Sequence, residues 1–547
     1  MIARQRFWPL AAPTLLYALP IVAALLVALW QGFDGAAWGA LLADTQLPRA
    51  WGVAVASALV ATLASLALAL WLVTHLHGTR AWGRIARSLG PLLALPHAAF
   101  AIGLALLLMP AGLLARALAV PLGWVTPPDW PTVNDPWGVG LVLVLVCKEL
   151  PFLLWNLVAL LARPELALQL RGWLAAARTL GYHDAAIWWR VLWPLLLPRL
   201  AWPLLAVLAY SLTVVDLALI VGPASPPTLA VLAWQQLQDG DVARNAEGAA
   251  AALALALTLL ALVAILMAAA HAAAVTWRRH ATNGVRGAQR PGGGMAHATM
   301  TALLVLYATV ALLLLFSSFA GVWTFPALLP QAWSVAAWAQ VAASLDALTL
   351  SAGLGLVVAL AALVLTLLWF ESTPAAWDER AMPLVLAPLV VPPLLLLVGL
   401  YTLALPLRLD GTRIGLAWVH TLAALPYVFV ALAPSWRAFD VRYERSALAL
   451  GRSRAAFWWR VKAPMLAAPT AAALAVGFAV SVAQYLPTQF IGAGRHATVT
   501  TLAVTLASGG ERHLGAAFAL LQVLLPALGF AAAAWVGERQ RRITDGA

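Results

Sequence analysis

Residues 180–194 read LGYHDAAIWWRVLWP, and residues 450–464 read LGRSRAAFWWRVKAP. One phrase is written twice, 270 residues apart, with identities at Leu180/Leu450, Gly181/Gly451, Ala185/Ala455, Ala186/Ala456, Trp188/Trp458, Trp189/Trp459, Arg190/Arg460, Val191/Val461 and Pro194/Pro464. Nine matches in fifteen positions do not follow from composition, so the chain holds two homologous halves. Each copy is basic and stands just before an apolar run.

The repeat extends outward. Ser211 meets Ser481 and Gly222 meets Gly492 at the same offset, and TLAV occurs at 228–231 and again at 501–504. GAA begins at Gly248 and at Gly515, and Pro96 and Gly103 are spaced like Pro392 and Gly399.

The composition says where these halves live. Of 547 residues, 63% are hydrophobic and 10% charged, with mean hydropathy +0.89. A soluble domain carries roughly 25% charged residues. So much apolar surface must face lipid or other spanning helices. Apolar runs of spanning length fall near 10–30, 52–75, 91–112, 138–162, 192–221 and 247–275. A second set falls near 298–319, 341–370, 381–405, 415–434, 464–490 and 513–536. The reading is an all-α membrane protein of about twelve transmembrane helices in two homologous six-helix halves, 1–276 and 298–547. Between them 277–297, rich in Gly and Arg, reads as a flexible tether. Arg4 and Arg6 precede an apolar stretch too long for a signal peptide, which is taken as a first span.

With the N- and C-termini in the cytoplasm, 24 of the 33 Lys and Arg residues fall inside and seven outside. That bias sets the topology. The acidic segment ESTPAAWDER, 371–380, is weakly discordant, because it is placed inside. With six spans in each half, the halves share an orientation and form a parallel repeat. The net charge of +12 is not read as nucleic-acid binding, since the arginines lie in short loops where positive charge sets orientation. Twenty-seven tryptophans partly suit the membrane interfaces. Cys147 is the single cysteine, so there is no intrachain disulfide.

The repeated phrase lies between the fourth and fifth spans of each half, 163–194 and 436–464. It resembles the EAA loop of ABC importer permeases: Glu-Ala-Ala, three residues, Gly, nine residues, an aliphatic, any residue, Leu, Pro. AAARTLG, with Ala175, Ala176, Ala177, Arg178 and Gly181, leads at the expected distance to Arg190, Val191 and Pro194. RSALALG, with Arg445, Ala447 and Gly451, leads through Arg454 and Arg460 to Val461 and Pro464. The leading Glu is replaced by Ala175 and by Arg445, although Glu444 is adjacent, and the Leu before Pro is Trp193 or Ala463. Alanine favours helix, the glycines allow a turn, and the prolines suit the start of a new helix. An ordinary basic loop that only fixes topology is the simpler alternative for one copy, and two copies with the same Gly-to-Pro spacing make it a poor one. The resemblance implies a short helix offering Arg171, Arg178 and Arg190, or Arg442, Arg445, Arg452 and Arg454, to an ATPase.

SLTVVDLALIVGPASPPTLAV at 211–231 and SVAQYLPTQFIGAGRHATVTTLAV at 481–504 are similar to segments of fused permeases in the thiamine and ferric-iron importer group, most of all the Ynj-type permeases. The resemblance implies a type I importer fold, two copies of a cytoplasmic ABC ATPase, a periplasmic solute-binding protein, and a bacterial inner-membrane location. It implies no cofactor in this chain, ATP and Mg being bound by the ATPase. The residues agree: the only lysines, Lys148 and Lys462, follow Cys147 and Val461, so no phosphate-cradling Gly-Lys-Ser/Thr exists. No catalytic grouping and no metal-ligand cluster stand out. An ion-gradient transporter with two six-helix halves is the alternative, and it leaves the doubled loop unexplained.

Polar residues inside spans are costly and are functional candidates. Lys148, Glu149 and Asp216 stand in the first half, and His420, Gln484 and Tyr485 in the second. They either line the translocation path or tie helices together. For Lys148 and Glu149 the two readings weigh about equally; for Asp216 the path reading is favoured.

Overall fold

The computed structural model describes residues 7–286 and 292–545. Residues 287–291 of the expected tether lie outside the described residues. Among the described residues ten helices are long and apolar enough to span a membrane. Two bent pairs, Ala376–Val390 with Pro393–Ala404 and Arg454–Met465 with Ala467–Val482, bring the number to twelve if each counts as one span. All twelve overlap the apolar runs of the sequence, but the fifth ends at Thr213, before Asp216, and the eleventh at Val482, before Gln484 and Tyr485. The protein is an all-α, multi-pass membrane protein.

The compact units are drawn differently from the sequence halves. One unit comprises 1–31 and 335–547, the other 32–334. Each half has thus given its first span to the other. The receiving positions are the repeated glycines. In the 32–334 unit a β-carbon on Gly103 would meet Val310 Cγ1 at 2.6 Å. In the other unit a β-carbon on Gly399 would overlap the backbone of Ala24. Glycine is needed at both because the partner helix, through the Val310 side chain in one and the Ala24 backbone in the other, stands where a β-carbon would be. A tyrosine clasps each exchanged span: Tyr307 Oη donates to Cys147 O at 3.0 Å, and Tyr17 Oη donates to Val385 O at 2.7 Å.

The gapless 270-residue register persists through the second part of each half. The helices Asp216–Val221 and Leu486–Gly492 start at paired positions, as do Val242–Ala281 and Arg512–Asp545. Thr228 and Thr498 cap the paired helices Leu229–Leu237 and Val499–Ser508. The two TLAV strings are therefore three residues out of structural register.

The acidic segment 371–380 has a local explanation. Asp378 binds Arg437 through both carboxylate oxygens at 2.7 Å, and Arg437 also donates to the carbonyls of Phe370 and Thr373. Glu371 accepts from Lys462 and from Trp436 Nε1. The acids neutralise cations at the neighbouring span ends, so their presence does not oppose the topology.

Candidate functional site

The two copies of the repeated phrase fold alike. Helix Pro164–Thr179 ends in a turn at Gly181, φ +83°, and a short helix Asp184–Ile187 follows. Helix Arg442–Ala449 ends at Gly451, φ +73°, before Arg454–Phe457. Both glycines are left-handed, where a β-carbon is disfavoured. The next five residues, Trp188–Leu192 and Trp458–Lys462, are π-helical. Proline explains this. Pro194 and Pro464 have no N–H to offer the carbonyls of Arg190 and Arg460 four residues back. Shifting the ladder by one residue, so that Trp193 N donates to Trp188 O and Ala463 N to Trp458 O, removes the demand.

An ion pair staples each turn, with charges reversed. Arg178, before the first glycine, binds Asp184 after it in a two-pronged contact of 2.8 Å. Glu444, before the second glycine, meets Arg454 after it at 3.6 Å. Asp184 and Arg454 are repeat partners. Both pairs are largely exposed, and exposed pairs contribute about 0–1 kcal/mol. They select an angle between two short helices rather than hold the fold. Asp184→Ala and Glu444→Ala are expected to leave thermal stability unchanged within about 1 °C. A larger loss in a melting curve would make the staples structural.

The last span of each sequence half also bonds this element or the residues just after it. Arg190 Nη1 donates to His280 O and Asn283 Oδ1, both at 2.7 Å, closing the end of Val242–Ala281. In the other unit Gln540 of Arg512–Asp545 donates to Met465 O and accepts from Ala468 N. Arg190 is therefore held by its own chain, as is Arg178. Arg460 is exposed and has no hydrogen bond or ion pair among the described residues. Trp188 and Trp193 are buried, Trp193 Nε1 donating to Thr74 Oγ1 at 2.9 Å. His77 packs edge-on against Trp82 and Trp188, and burial pushes its pKa down, which suits an uncharged ring in an aromatic cluster.

What remains outward is a set of alanines, arginines and two leucines. Ala175, Ala176 and Arg171 are exposed, as are Arg445, Arg452 and Arg454, while Ala177 and Ala447 are half-buried. Leu180 and Leu450, each just before its glycine, are 62% and 80% exposed. Each turn thus carries one exposed leucine beside exposed or half-buried alanines.

The intramembrane residues separate into ties and a polar cluster. Helix Arg80–Ala94 stops before Pro96, whose missing N–H leaves Leu92 O without its i+4 donor. Lys148 Nζ donates to Leu92 O at 3.3 Å and Leu95 O at 2.6 Å, and lies over the rings of Phe100 and Tyr307. His420 bridges Ser481 Oγ at 3.1 Å and Thr488 Oγ1 at 3.0 Å, across the break between Ala467–Val482 and Leu486–Gly492. Both residues are spent on protein atoms. Tyr485 is buried at that break, and Gln484 beside it is half-buried.

Glu149, with 6% of its side chain exposed, has His97 Nε2 at 3.7 Å. The His97 ring meets Tyr210 edge-on at 5.0 Å. Asp216 opens the short helix Asp216–Val221, whose N-terminal end favours an acid. The structure thus places His97 and Tyr210 beside Glu149, neither of which the sequence singled out. Their signal was their neighbourhood to chain breaks: His97 follows Pro96, and Tyr210 precedes the break at Val214. Repeat partners in the other unit are apolar: Val480 for Tyr210 and Leu486 for Asp216, with Ala424 standing two residues before Pro426 as Glu149 does before Pro151. Among the described residues no group of His, Cys, Asp and Glu could hold a metal ion.

No family model matches the chain. Over 538 residues it is 37% identical to the inner membrane ABC transporter permease protein YnjC of Escherichia coli (strain K12), covering 97% of this chain and 96% of that protein. The chain belongs to the inner-membrane ABC transporter permeases. It is a permease subunit, which accounts for a repeated membrane architecture and takes away the ground for an ion-gradient transporter.

Proposed function

We propose that the chain forms the solute path of an ATP-driven importer and is coupled through its two turns to a separate cytoplasmic ATPase. Both termini lie in the cytoplasm in this reading. Two copies of the ATPase bind the elements 163–194 and 436–464 and hold the ATP and Mg, and a periplasmic binding protein delivers the solute. The observation that carries it is the doubled surface: a left-handed glycine, an exposed leucine before it and a π-turn after it, at repeat positions in both units. A partner that closes as a pair needs two equivalent handles, and the bonds from Arg190 and Gln540 pass the movement of each handle to the last span of its sequence half. Purified alone, the chain should hydrolyse no ATP; with its ATPase it should elute as a one-to-two complex. Hydrolysis by the contaminant-free chain, or failure to form that complex, would overturn the assignment.

Within the membrane, this reading gives the solute-facing role to Asp216 and Glu149, with Gln484 on the other unit, and leaves Lys148, His420 and buried Tyr485 as ties. Asp216→Asn keeps shape and hydrogen bonding and removes charge. Losing one charge-assisted contact of about 1.5 kcal/mol should lower transport about tenfold. Transport by reconstituted complex is measured beside the melting temperature. Unchanged transport would retire the idea, and a fall in melting temperature with unchanged activity per folded molecule would make Asp216 structural. Substrate kinship with the thiamine and ferric-iron importers rests on segment resemblance alone.

A further inference from the structure

The two turns differ in the charge that their own chain supplies. Gly451 is followed by Arg452, exposed and without an ion pair among the described residues, whereas Gly181 is followed by Tyr182. Arg445 and Arg460 are likewise exposed and unpaired among the described residues. In the first copy Arg178 is taken by Asp184 and Arg190 by the end of Val242–Ala281. A dimeric ATPase, being symmetric, offers the same groove twice. One turn would then meet it with an arginine at the glycine and the other without.

The tether repairs the difference. After Ala281 it runs through Asn283, which accepts from Arg190, and returns to the first turn. Trp277 at its root stacks on Trp189, rings 6.3 Å apart and 30° from parallel. Arg286 then lies against Gly181: a β-carbon there would be 3.3 Å from Nε and 3.5 Å from Cζ of Arg286. Around Gly451 no described residue other than its chain neighbours lies within 4 Å of that position, and the cation is the next residue in the chain.

We propose that Arg286 of the tether completes the first docking surface, standing in for Arg452, so that each turn presents one arginine beside its glycine to an acidic groove on each ATPase protomer. This rests on the docking reading above. Joining two halves in one chain then does more than fix their ratio, because the join itself is part of one interface.

The test uses the full chain with its ATPase. Arg286→Glu and Arg452→Glu should each weaken association about three- to tenfold, the size of a rim charge reversal, and more at low salt. Arg286→Lys should retain most of the affinity. Arg512→Glu, an exposed change in a segment read as lying on the outer side, should bind normally. If Arg452→Glu weakens binding and Arg286→Glu does not, the tether has no part in the interface and the inference falls alone. If neither arginine matters but Gly451→Pro weakens binding, the turns dock without charge and the inference again falls. If all three variants bind normally, the docking reading itself falls.

Discussion

Replacing Gly451 by proline is expected to uncouple ATP hydrolysis from transport while leaving the spans inserted. The native φ is +73°, and proline is locked near −65°. Gly451 N also donates to Leu448 O at 3.0 Å, and proline has no hydrogen to give. The turn must therefore open, and with it go the exposed Leu450 and the angle held by Glu444 and Arg454. The damage stays local, because helix Arg442–Ala449 buries no residue of its own. ATPase stimulation and transport should fall by at least about tenfold, since one rigid handle of two is lost. Gly451→Ala offers a graded control: its β-carbon meets nothing within 4 Å, so it adds only the left-handed strain of about 1–2 kcal/mol. Gly181→Ala adds the same strain and also crowds Arg286, so it should be the more damaging alanine. Transport at the wild-type rate by Gly451→Pro, with normal ATPase binding, would end the coupling role of this turn.

Much of this architecture could be read from the residues because it depends on patterns that repeat. The twelve apolar runs needed only length and composition, and the paired turns needed only matching Gly and Pro positions. What escaped was what depends on three-dimensional neighbourhood. The exchange of first spans leaves no mark on hydropathy; its trace is the pair Gly103 and Gly399, whose reason appears only once Val310 and Ala24 are seen against them. Arg178 and Arg190 looked like outward charges because a sequence does not show that Asp184 and the end of a distant helix receive them. The acids of 371–380 looked discordant for the same reason, their partners Arg437 and Lys462 being some sixty to ninety residues away. His97 and Tyr210 were passed over, although His420 and Tyr485 of the same types were not, because nothing in the sequence sets them beside Glu149. Position beside a chain break, rather than residue type, was the signal that mattered.

Lys148→Met is expected to destabilise the protein more than any substitution of the neighbouring acids. A lysine at bilayer depth is expensive unless protein atoms replace its water. Here they do: Leu95 O at 2.6 Å and Leu92 O at 3.3 Å accept from Nζ, and two aromatic rings flank it. The dependence is mutual, since Pro96 cannot donate to Leu92 O and the next helix begins only at His97. Methionine fills similar space but donates nothing. Two carbonyls lose their partner at about 1–3 kcal/mol each, and Glu149 loses the adjacent positive charge. The expected loss is about 3 kcal/mol, the scale found on removing one member of a buried ionic arrangement. In detergent this should appear as a fall of several degrees in melting temperature. Activity per folded molecule should hold, because Lys148 faces backbone rather than solute. Glu149→Gln provides the contrast: if Glu149 faces solute through the His97 cluster, the amide should lower transport with a smaller change in stability. The double variant then decides the coupling between them. A loss in Lys148→Met/Glu149→Gln smaller than the sum of the two single losses would show that Lys148 also neutralises Glu149, and simple additivity would confine Lys148 to capping the broken helix. A Lys148→Met protein with wild-type stability and impaired transport would reverse the assignment and put the lysine in the path.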